Sequence, residues 1–396
     1  MTSESSLVQN FEILKNLPKD WEVLSFDKVV DDVSRGNKKT KKGDFLDEGE
    51  IKVVDQGKNL FAGFVSKSEL LVKTETPHIV FGDHTRILKY VDFPFAMGAD
   101  GTKVLKIKKS VDSFEKYIYY FFQTLNIPDT GYNRHFKYLK DCKIPLPPLA
   151  TQKKITSILD EADTLRQLNK QLIAKYDALT QSLFLEMFGD PVMNSKGWEK
   201  DELKNLTSKI GSGSTPRGGK EAYLEEGISL IRSLNVYDNK FKYKNLAFIS
   251  EHQANKLRNV IVEENDVLFN ITGASICRST IVPKDVLPAR VNQHVSILRP
   301  LQIKLNPLYL NHFLISENIK NQLLGVGSGG GAVMQAVTKQ QLNNLEIILA
   351  PIHLQNQFAE HVQLIEQQKQ QAQEALQKSE ALFNSLLQKA FKGELV

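Results

Sequence analysis

The sequence predicts an α+β protein with two similar globular α/β domains and a two-helix antiparallel coiled coil, arranged as a pseudo-two-fold internal repeat. The first observation is that the segment 145–190 returns in changed form over 348–393, at a constant offset of 203 positions. The second is that both segments have the apolar spacing of a long helix. The third is that short β-type runs precede each of them. A duplication of this length indicates two like modules.

The match continues upstream with an offset that changes along the chain. Trp21 pairs with Trp198 at an offset of 177, and Tyr117 pairs with Tyr309 at 192. An offset that only grows means that loops are longer in the second copy while the order of elements is the same. The predicted organisation is a globular domain over 1–148, a long helix over 149–190, a globular domain over 191–348 and a long helix over 349–396.

Each globular domain contains predicted strands and one clear predicted helix. The strands, rich in Val, Ile, Leu and Phe, are 51–54, 78–81 and 103–107 in the first domain and 228–231, 266–269 and 295–298 in the second. The helices are 112–125 and 306–324. Loops rich in Gly, Ser and Lys connect them, so we expect an irregular sheet in each domain.

The two long helices carry apolar stripes that predict a mutual coiled coil. In the first, the seam is predicted at heptad spacing, with Asn169 and Tyr176 as departures: Ile158, Leu165, Leu172 and Leu179. In the second, the stripe is interrupted by Lys369 and Ser379 and consists of Val362, Ile365, Ala372, Leu376, Phe383, Leu386 and Ala390. Proline blocks helix before each of them, and glycine follows each. The alternative is that each helix packs only on its own globular domain.

Composition places the chain among soluble globular proteins. Of its 396 residues, 41% are hydrophobic and 24% are charged, and no apolar stretch is long enough to cross a bilayer. The N-terminal residues lack the pattern of a signal peptide. Cys142 and Cys277 form no CxxC motif and no metal-binding spacing. We therefore expect a cytoplasmic protein with reduced thiols and no bound metal.

Positive charge is concentrated in the globular domains. Residues 1–148 hold 23 Lys and Arg against 21 Asp and Glu, and residues 191–348 hold 19 against 14. Basic loops at 35–43 and 211–220 occupy matching places shortly after the paired tryptophans. Lysine and arginine suit phosphate contacts, while Arg, Asn, Gln and Ser can read base edges. A solvated loop is the alternative for any one of these residues.

The sequence contains only weak matches to catalytic and cofactor-binding motifs. A G-x-G-x-x-G match at 325–330 follows a predicted helix rather than a strand, so a flexible loop near DNA is favoured over a cofactor site. Glu50 and Lys52, with Asp44 and Asp47 upstream, faintly resemble a metal-dependent nuclease, which leaves a stand-alone endonuclease as one alternative. A structural coiled-coil adaptor is another. His84 and His135 are expected to make polar contacts or to be satisfied core groups rather than to act as catalysts.

The junction-and-helix motifs identify a family resemblance. They are Leu146-Pro-Pro-Leu149 with Gln152, leading out to Met187–Asp190, and Ala350-Pro351 with Gln355, leading out to Lys389–Gly393. The Gly213–Pro216 loop and Asn292-Gln293 before a strand add to them. With these motifs the chain resembles, over essentially its whole length, the DNA-specificity subunit of type I restriction-modification systems. The first half has Ala99–Thr102 in place of Asn292-Gln293, which indicates a different recognition subtype.

The resemblance implies a non-catalytic reader of double-stranded DNA. The globular halves would be two target recognition domains, each reading one half of a split, asymmetric site. The helices would act as spacer and as dock for two modification subunits, which restriction subunits can join, and S-adenosylmethionine would bind the modification subunit. The expected DNA-binding residues are Lys38, Lys39, Lys41, Lys42, His84, Arg86, Arg134, Ser214, Thr215, Arg217, Lys220, Arg232, Gln293 and Gln335.

Overall fold

The computed structural model describes residues 14–131, 133–325 and 336–396 of the chain. These residues form two compact units. Unit 1 contains the chain up to Gln171 together with Gln373–Val396, and unit 2 contains Leu172–Ala372. Both boundaries fall inside a long helix, so each unit holds one globular domain and a segment of each long helix.

Unit 1 contains two four-stranded sheets. Its elements are β1 Glu22–Ser25, α1 Phe26–Val29, β2 Val30–Asp32, β3 Lys39–Thr40, β4 Ile51–Val54, β5 Gly63–Val65, β6 His78–Gly82, β7 Leu88–Val91, β8 Phe95–Gly98, β9 Thr102–Ile107, α2 Glu115–Gln123, α3 Phe136–Lys140 and β10 Lys143–Leu146. One sheet is antiparallel with the order β2-β9-β6-β7, and the other is mixed with the order β3-β8-β4-β5. A short ladder joins β1 to β10. All five residues of β6 are buried, as expected for a central strand covered on both faces.

The long helix α4 Leu149–Phe188 leads from unit 1 into unit 2. The elements that follow are β11 Glu199–Glu202, α5 Leu203–Leu206, β12 Thr207–Ser212, β13 Ile228–Ile231, β14 Val236–Tyr237, β15 Lys240–Phe241, β16 Ala247–Ile249, α6 Glu251–Lys256, β17 Ile261–Val262, β18 Val267–Asn270, β19 Ser279–Ile281, β20 Ala289–Val291, β21 Val295–Pro300, α7 Pro307–Ile315, α8 Glu317–Leu324, α9 Lys339–Asn343, β22 Glu346–Leu349 and α10 Ile352–Phe391. The four-stranded sheets have the orders β12-β21-β18-β19 and β16-β13-β20-β17. All six predicted strands are present within a residue or two of their predicted bounds.

The repeat is visible in the sheet topology. The antiparallel sheet of unit 2 reproduces that of unit 1 strand for strand. In the mixed sheets, the parallel pair β4–β8 corresponds to β13–β20. The edge strand differs, because β3 runs parallel to β8 and precedes β4 in the chain, whereas β17 runs antiparallel to β20 and follows β13. The two domains therefore share a framework and differ at one sheet edge.

A repeated hydrogen-bonded junction attaches each domain to the first turn of the long helix that follows it. In unit 1, Gln152 Nε2 donates to the carbonyls of Asp112 (3.1 Å) and Pro147 (2.8 Å), and its Oε1 accepts from the Phe114 N–H (2.9 Å). The Tyr117 hydroxyl donates to the Pro145 carbonyl at 2.8 Å. Both side chains are buried, so these bonds replace contacts with water that the groups have lost.

The same junction recurs in unit 2. Gln355 Nε2 donates to the carbonyls of Lys304 (3.1 Å) and Ala350 (2.7 Å), and its Oε1 accepts from the Asn306 N–H (2.9 Å). The Tyr309 hydroxyl donates to a backbone carbonyl in β22 at 2.6 Å. Phe188, the last residue of α4, packs on the ring of Tyr309, as Phe391 at the end of α10 packs on Tyr117 in unit 1. The sequence repeat therefore encodes a repeated set of contacts.

The seam predicted for α4 is wrong. In unit 1 the buried residues of α4 include Ile155, Leu159 and Ala162, whereas Leu165 is 46% exposed. The seam also accepts polar side chains, because Asn169 Nδ2 donates to Ser379 Oγ at 3.3 Å. In unit 2, Leu172 and Leu179 are likewise exposed on the outer side of α4, while Thr180 and Phe184 are buried. The leucines at heptad spacing thus lie outside the seam, whereas Asn169, which was predicted as a departure, lies in it.

The stripe predicted for α10 is confirmed. Val362 and Ala372 in unit 2 are buried, as are Phe383 and Ala390 in unit 1. The two predicted interruptions lie on the same stripe: Ser379 is buried, and the Lys369 ammonium pairs with Asp177 of α4 at 2.5 Å. Each unit holds the N-terminal part of one long helix against the C-terminal part of the other, so within each unit the helix segments pack antiparallel.

The ends of the helices differ slightly from the predicted ones. Gly189 follows α4 with φ +79°, a left-handed conformation that glycine adopts without a Cβ clash, and this ends the helix as expected. The predicted helix 306–324 is two helices, because Ser316 is extended (ψ 140°) and ends α7 before α8 begins. None of the helices in the described residues has the length and apolar character needed to span a bilayer.

Candidate nucleic-acid interface

Two loops of unit 2 that carry predicted DNA-binding residues lie against each other. The loop after β12 meets the turn between β20 and β21, where the Gly213 N–H donates to the Asn292 carbonyl at 3.1 Å. A Cβ on Gly213 would lie 1.9 Å from the Val291 carbonyl oxygen, so only glycine permits this approach. The Thr215 hydroxyl then donates to Gln293 Oε1 at 2.5 Å. Two residues 78 positions apart are joined at one exposed surface.

The same contact extends to a histidine that sequence reasoning did not select. Gln293 Nε2 lies 3.1 Å from His294 Nε2, and His294 Nδ1 lies 2.6 Å from Thr272 Oγ1. The Asn292 side chain shapes the turn, because its Oδ1 accepts the His294 N–H at 3.1 Å. Hydroxyl, amide and imidazole groups are thus gathered at the ends of strands from both sheets of the domain.

A groove of about 510 Å³ beside His294 contains further missed residues. Its lining includes Tyr237, Thr272, Ser275 and Arg278. The Arg278 guanidinium lies 4.3 Å from the centroid of the Tyr237 ring, and the ammonium of Lys242, which directly follows β15, lies 3.6 Å from it. Hydrogen bonding by Lys242 lowers the pKa of Tyr237. Two cations converge on one tyrosine beside an open groove, an arrangement suited to a phosphate oxygen.

Lys242 could have been found in the sequence from its local pattern. The hairpin β14–β15 is followed by Lys242 and Lys244, which gives alternating aromatic and basic residues around a tight turn. Arg278 gives no such signal, because it is brought to Tyr237 by the packing of the β14–β15 hairpin against β19.

The remaining predicted DNA-binding residues of unit 2 differ in their contacts and exposure. The Arg232 guanidinium donates to the Asn245 carbonyl and lies 5.1 Å from the Tyr223 ring, so a large part of it is engaged in holding the domain. Arg217 and Ser214 are exposed on the loop after β12. The backbone of Lys220 lies in a 3₁₀ turn, but its side chain and the whole of Gln335 lie outside the described residues.

In unit 1 the four predicted lysines are all exposed, and they lie on or beside β3, the edge strand that unit 2 lacks. Lys38 forms an ion pair with Glu69 at 2.9 Å, and this hydrogen bond lowers the pKa of the Glu69 carboxyl. Within the described residues, Lys39, Lys41 and Lys42 form no ion pair. Three free ammonium groups therefore border one sheet edge.

His84, Arg86 and Arg134 lie near one another in sequence-distant loops of unit 1. His84 Nδ1 lies 3.1 Å from the Asn133 carbonyl, beside the exposed Arg134. Arg86 donates to the Ile127 carbonyl (3.3 Å) and to Asp129 (2.7 Å). Arg86 thus fastens the loop that leads to Arg134, and a DNA contact by each of the three stays a prediction.

The residues considered for catalysis are divided between the core and the surface of the protein. His135 is buried, with Nδ1 2.9 Å from the Asp83 carbonyl, as expected of a satisfied core group. The Lys52 ammonium lies 4.7 Å from the centroid of the Phe93 ring. Glu50 is exposed, and the described part of the chain holds no group of three His, Cys, Asp or Glu residues that could bind a metal. Of the G-x-G-x-x-G match, only Gly325 lies in the described residues, where it ends α8 with φ +68°.

These features define a class of protein. Its members have two related α/β domains, each with polar and basic loops at the strand ends, and a pair of long helices. The chain belongs to the family of the type I restriction modification DNA specificity domain, whose model matches residues 18–176 and again 195–379. The two matched segments correspond to the two copies of the repeat.

Named relatives agree with this assignment. The chain is 24% identical over 272 residues to the putative type I restriction enzyme MjaX specificity subunit of Methanocaldococcus jannaschii, covering 63% of this chain and 59% of that protein. It is 24% identical over 332 residues to the type I restriction enzyme EcoBI specificity subunit of Escherichia coli, covering 74% and 68%. The chain thus spans about three fifths to two thirds of these relatives' lengths.

Solved structures share the fold. The type I restriction-modification S subunit from M. genitalium superposes with a TM-score of 0.56 at 16% identity, over 95% of this chain and 96% of that one. A chain from a study of complex assembly and conformational transition of the type I restriction-modification system gives a TM-score of 0.55 at 18% identity, over 96% and 99%. The predicted fold class is therefore confirmed.

Proposed function

We propose that this chain is the non-catalytic DNA reader of a type I restriction-modification complex, in which each unit recognises one half of a split, asymmetric double-stranded site. The observation that carries the proposal is the repeat itself: one framework and one junction occur twice, with different polar loops at the strand ends. Two unlike readers on one frame suit a target with two unlike halves. Neither a lone nuclease nor a purely structural adaptor requires such a pair.

The exposed leucines of α4 support docking of two modification subunits, one to each unit. In unit 1, Leu165 and Leu168 are 46% and 56% exposed, and in unit 2 Leu172 and Leu179 are 39% and 49% exposed. Large apolar side chains repeated on the solvent side of a helix mark an interaction surface. Restriction subunits would join through this assembly, and S-adenosylmethionine would bind the modification subunits. We place the complex in the cytoplasm, where the buried thiols of Cys142 and Cys277 stay reduced.

Exchange of one head tests the proposal. Residues 191–348 are replaced by the matching segment of a relative with a different target, and the assembled complex is used for genome-wide mapping of methylated bases. We expect one half-site to change and the other to be retained. A change in both half-sites, or in neither, would contradict the assignment of one half-site to each unit.

A second experiment tests the absence of catalysis. The purified chain is incubated with DNA and radiolabelled S-adenosylmethionine, with and without the modification subunit, and separately with magnesium alone. We expect methyl transfer only when the modification subunit is present, and no DNA cleavage by the chain itself. Methyl transfer or cleavage by the pure chain would show that it carries a catalytic site of its own.

A further inference from the structure

The amide of Gln293 is held at both ends although its side chain is exposed. The Thr215 hydroxyl donates to Oε1 at 2.5 Å, and Nε2 lies 3.1 Å from His294 Nε2. His294 is held in turn, with Nδ1 2.6 Å from Thr272 Oγ1. Side chains from three separate loops therefore fix the orientation of one surface amide.

The Gln293 amide keeps hydrogen-bonding groups that its neighbours do not use. A glutamine amide has two N–H donors and two acceptor lone pairs. Because Nε2 can only donate, His294 Nε2 accepts, and His294 Nδ1–H donates to Thr272. One N–H of Gln293 is thus used on His294 and one lone pair on Thr215. One donor and one acceptor remain on a side chain that faces solvent.

The Gln293 side chain is already ordered before any ligand binds. A free surface glutamine loses rotamer entropy when it is immobilised, and this loss weakens binding. Here Thr215 and His294 hold the amide already, and Gly213 and Asn292 hold the loops that carry them. A solvated glutamine does not need such support, whereas a residue that reads a partner gains affinity from it.

We propose that Gln293 reads an adenine in the major groove of the half-site bound by unit 2, with Thr215 and His294 as positioning residues. This deepens the proposed function and rests on it. Adenine presents the N7 acceptor beside the N6 amino donor, which matches one N–H and one lone pair on a glutamine. Guanine presents two acceptors there, which would leave the amide oxygen without a donor.

The surroundings favour a base over a phosphate as the partner of Gln293. Phosphate oxygens only accept, so a phosphate contact would leave the free lone pair of the amide unused. Cations suited to phosphate lie nearby: Arg278 lines the neighbouring groove, and Lys242 converges with it on Tyr237. His294 lines that groove as well. The geometry thus separates a group that contacts the DNA backbone from a group that reads a base edge.

The test uses the assembled complex with its modification subunits. Methylation mapping first gives the half-site that changes when residues 191–348 are exchanged. Duplexes are then made in which each adenine of that half-site is replaced, one at a time, by 7-deazaadenine, which keeps Watson–Crick pairing and lacks the N7 acceptor. We expect binding about tenfold weaker at one adenine, within the range for a base-edge contact. In Gln293→Ala the sensitivity at that adenine should be lost, while the matched control Gln302→Ala, an exposed glutamine of unit 2, should keep it.

Positioning residues should act on discrimination at that one base. Thr215→Val and His294→Phe should reduce the 7-deazaadenine effect at that position and leave the other positions unchanged, and Thr215→Ser should restore it. If no adenine of the half-site is sensitive in the parent, if Gln293→Ala keeps the sensitivity at every adenine, or if Gln293→Ala weakens binding of all duplexes equally, the assignment is overturned. Failure of the head exchange to alter a half-site would instead overturn the proposed function.

Discussion

The orientation of α4 can be tested by truncating leucines on its two sides within unit 1. Leu159 is fully buried in a cluster that contains Ile155, Ala162 and Phe383. Leu165 and Leu168 stand on the outer side and are about half exposed. We compare Leu159→Ala with the double variant Leu165→Ala/Leu168→Ala, because the substitutions are chemically the same and differ only in what surrounds the side chain.

The expected magnitudes follow from burial. A fully buried leucine replaced by alanine lowers the free energy of unfolding by about 2–5 kcal/mol, because apolar burial is lost and a cavity is left. At 46% and 56% exposure, each outer leucine has about half of that burial and leaves no enclosed cavity. We therefore expect a loss of about 1 kcal/mol or less for each outer position.

Two measurements on each variant complete this prediction. Urea unfolding of the chain gives stability, and titration with the modification subunit gives affinity. The outer variant should stay folded and bind the modification subunit of unit 1 more weakly, whereas the exposed control Gln171→Ala should change neither quantity. If Leu165→Ala/Leu168→Ala destabilised the chain as much as Leu159→Ala, the assignment of Leu165 and Leu168 to the outer side of α4 would be wrong. Unchanged affinity in the outer variant would remove the docking proposal.

Three further predictions concern DNA affinity, pH and the junction. Replacing Lys39, Lys41 and Lys42 by Ala should reduce the magnitude of the log–log salt slope of DNA binding by up to about 2.7. Replacing Lys38 as well should bring the reduction to at most about 3.6, and Lys38 should add less than the others because it pairs with Glu69. An unchanged slope would place this sheet edge away from DNA. Burial lowers the pKa of His78 and of His312 to about 4, below the unfolded value, so each contributes stability that is present above pH 6.5 and is lost as pH falls toward 4. The loss is up to about 3 kcal/mol for each histidine. When the free energy of unfolding is measured with urea at several pH values, His78→Gln should make its decrease between pH 6.5 and 4 shallower. Equal slopes in variant and parent would contradict this role of His78. Gln355→Ala removes three hydrogen bonds worth about 1 kcal/mol each, so it should lower the unfolding free energy of unit 2 by about 3 kcal/mol, while the exposed Gln302→Ala should not.

The accuracy of the sequence predictions depended on whether a pattern is local or set by a partner. The strand at 228–231 was placed correctly because a short apolar run bounded by glycine is a local signal. The seam of α4 was misplaced because its partners decide which residues are buried. Arg166 fits the seam by lying 4.2 Å from the Phe383 ring, and Asn169 fits by bonding to Ser379. Counting apolar residues assigns such positions to the surface and the outward leucines to the seam.

The candidate interface shows the same difference between residues found from a local sequence pattern and residues whose contacts depend on distant segments. The sequence pointed to Thr215 through the basic loop after the second tryptophan and to Gln293 through the Asn292-Gln293 motif of the family resemblance, and the structure joins them. It could not point to the contact of Tyr237 with Arg278, since that contact joins the β14–β15 hairpin to the turn before β19, which belongs to a different sheet. Arg232 contacts a carbonyl and an aromatic ring of its own domain, and its contact with DNA stays a prediction. Charge alone does not distinguish a contact to DNA from one that holds a loop.

The junction explains how one frame can carry different readers. On the side of the globular domain, Gln355 bonds to the carbonyl of Lys304 and the N–H of Asn306, which are backbone atoms. Gln152 likewise bonds to backbone atoms of Asp112 and Phe114, with the Ser113 hydroxyl in addition. A glutamine that recognises the backbone of a loop places little demand on the side chains there. A different domain can therefore be attached to the same helix as long as its chain passes the glutamine in the same conformation and supplies a tyrosine in the place of Tyr309. This is the physical reason to expect that an exchanged head will fold on the frame and alter only the bases that it reads.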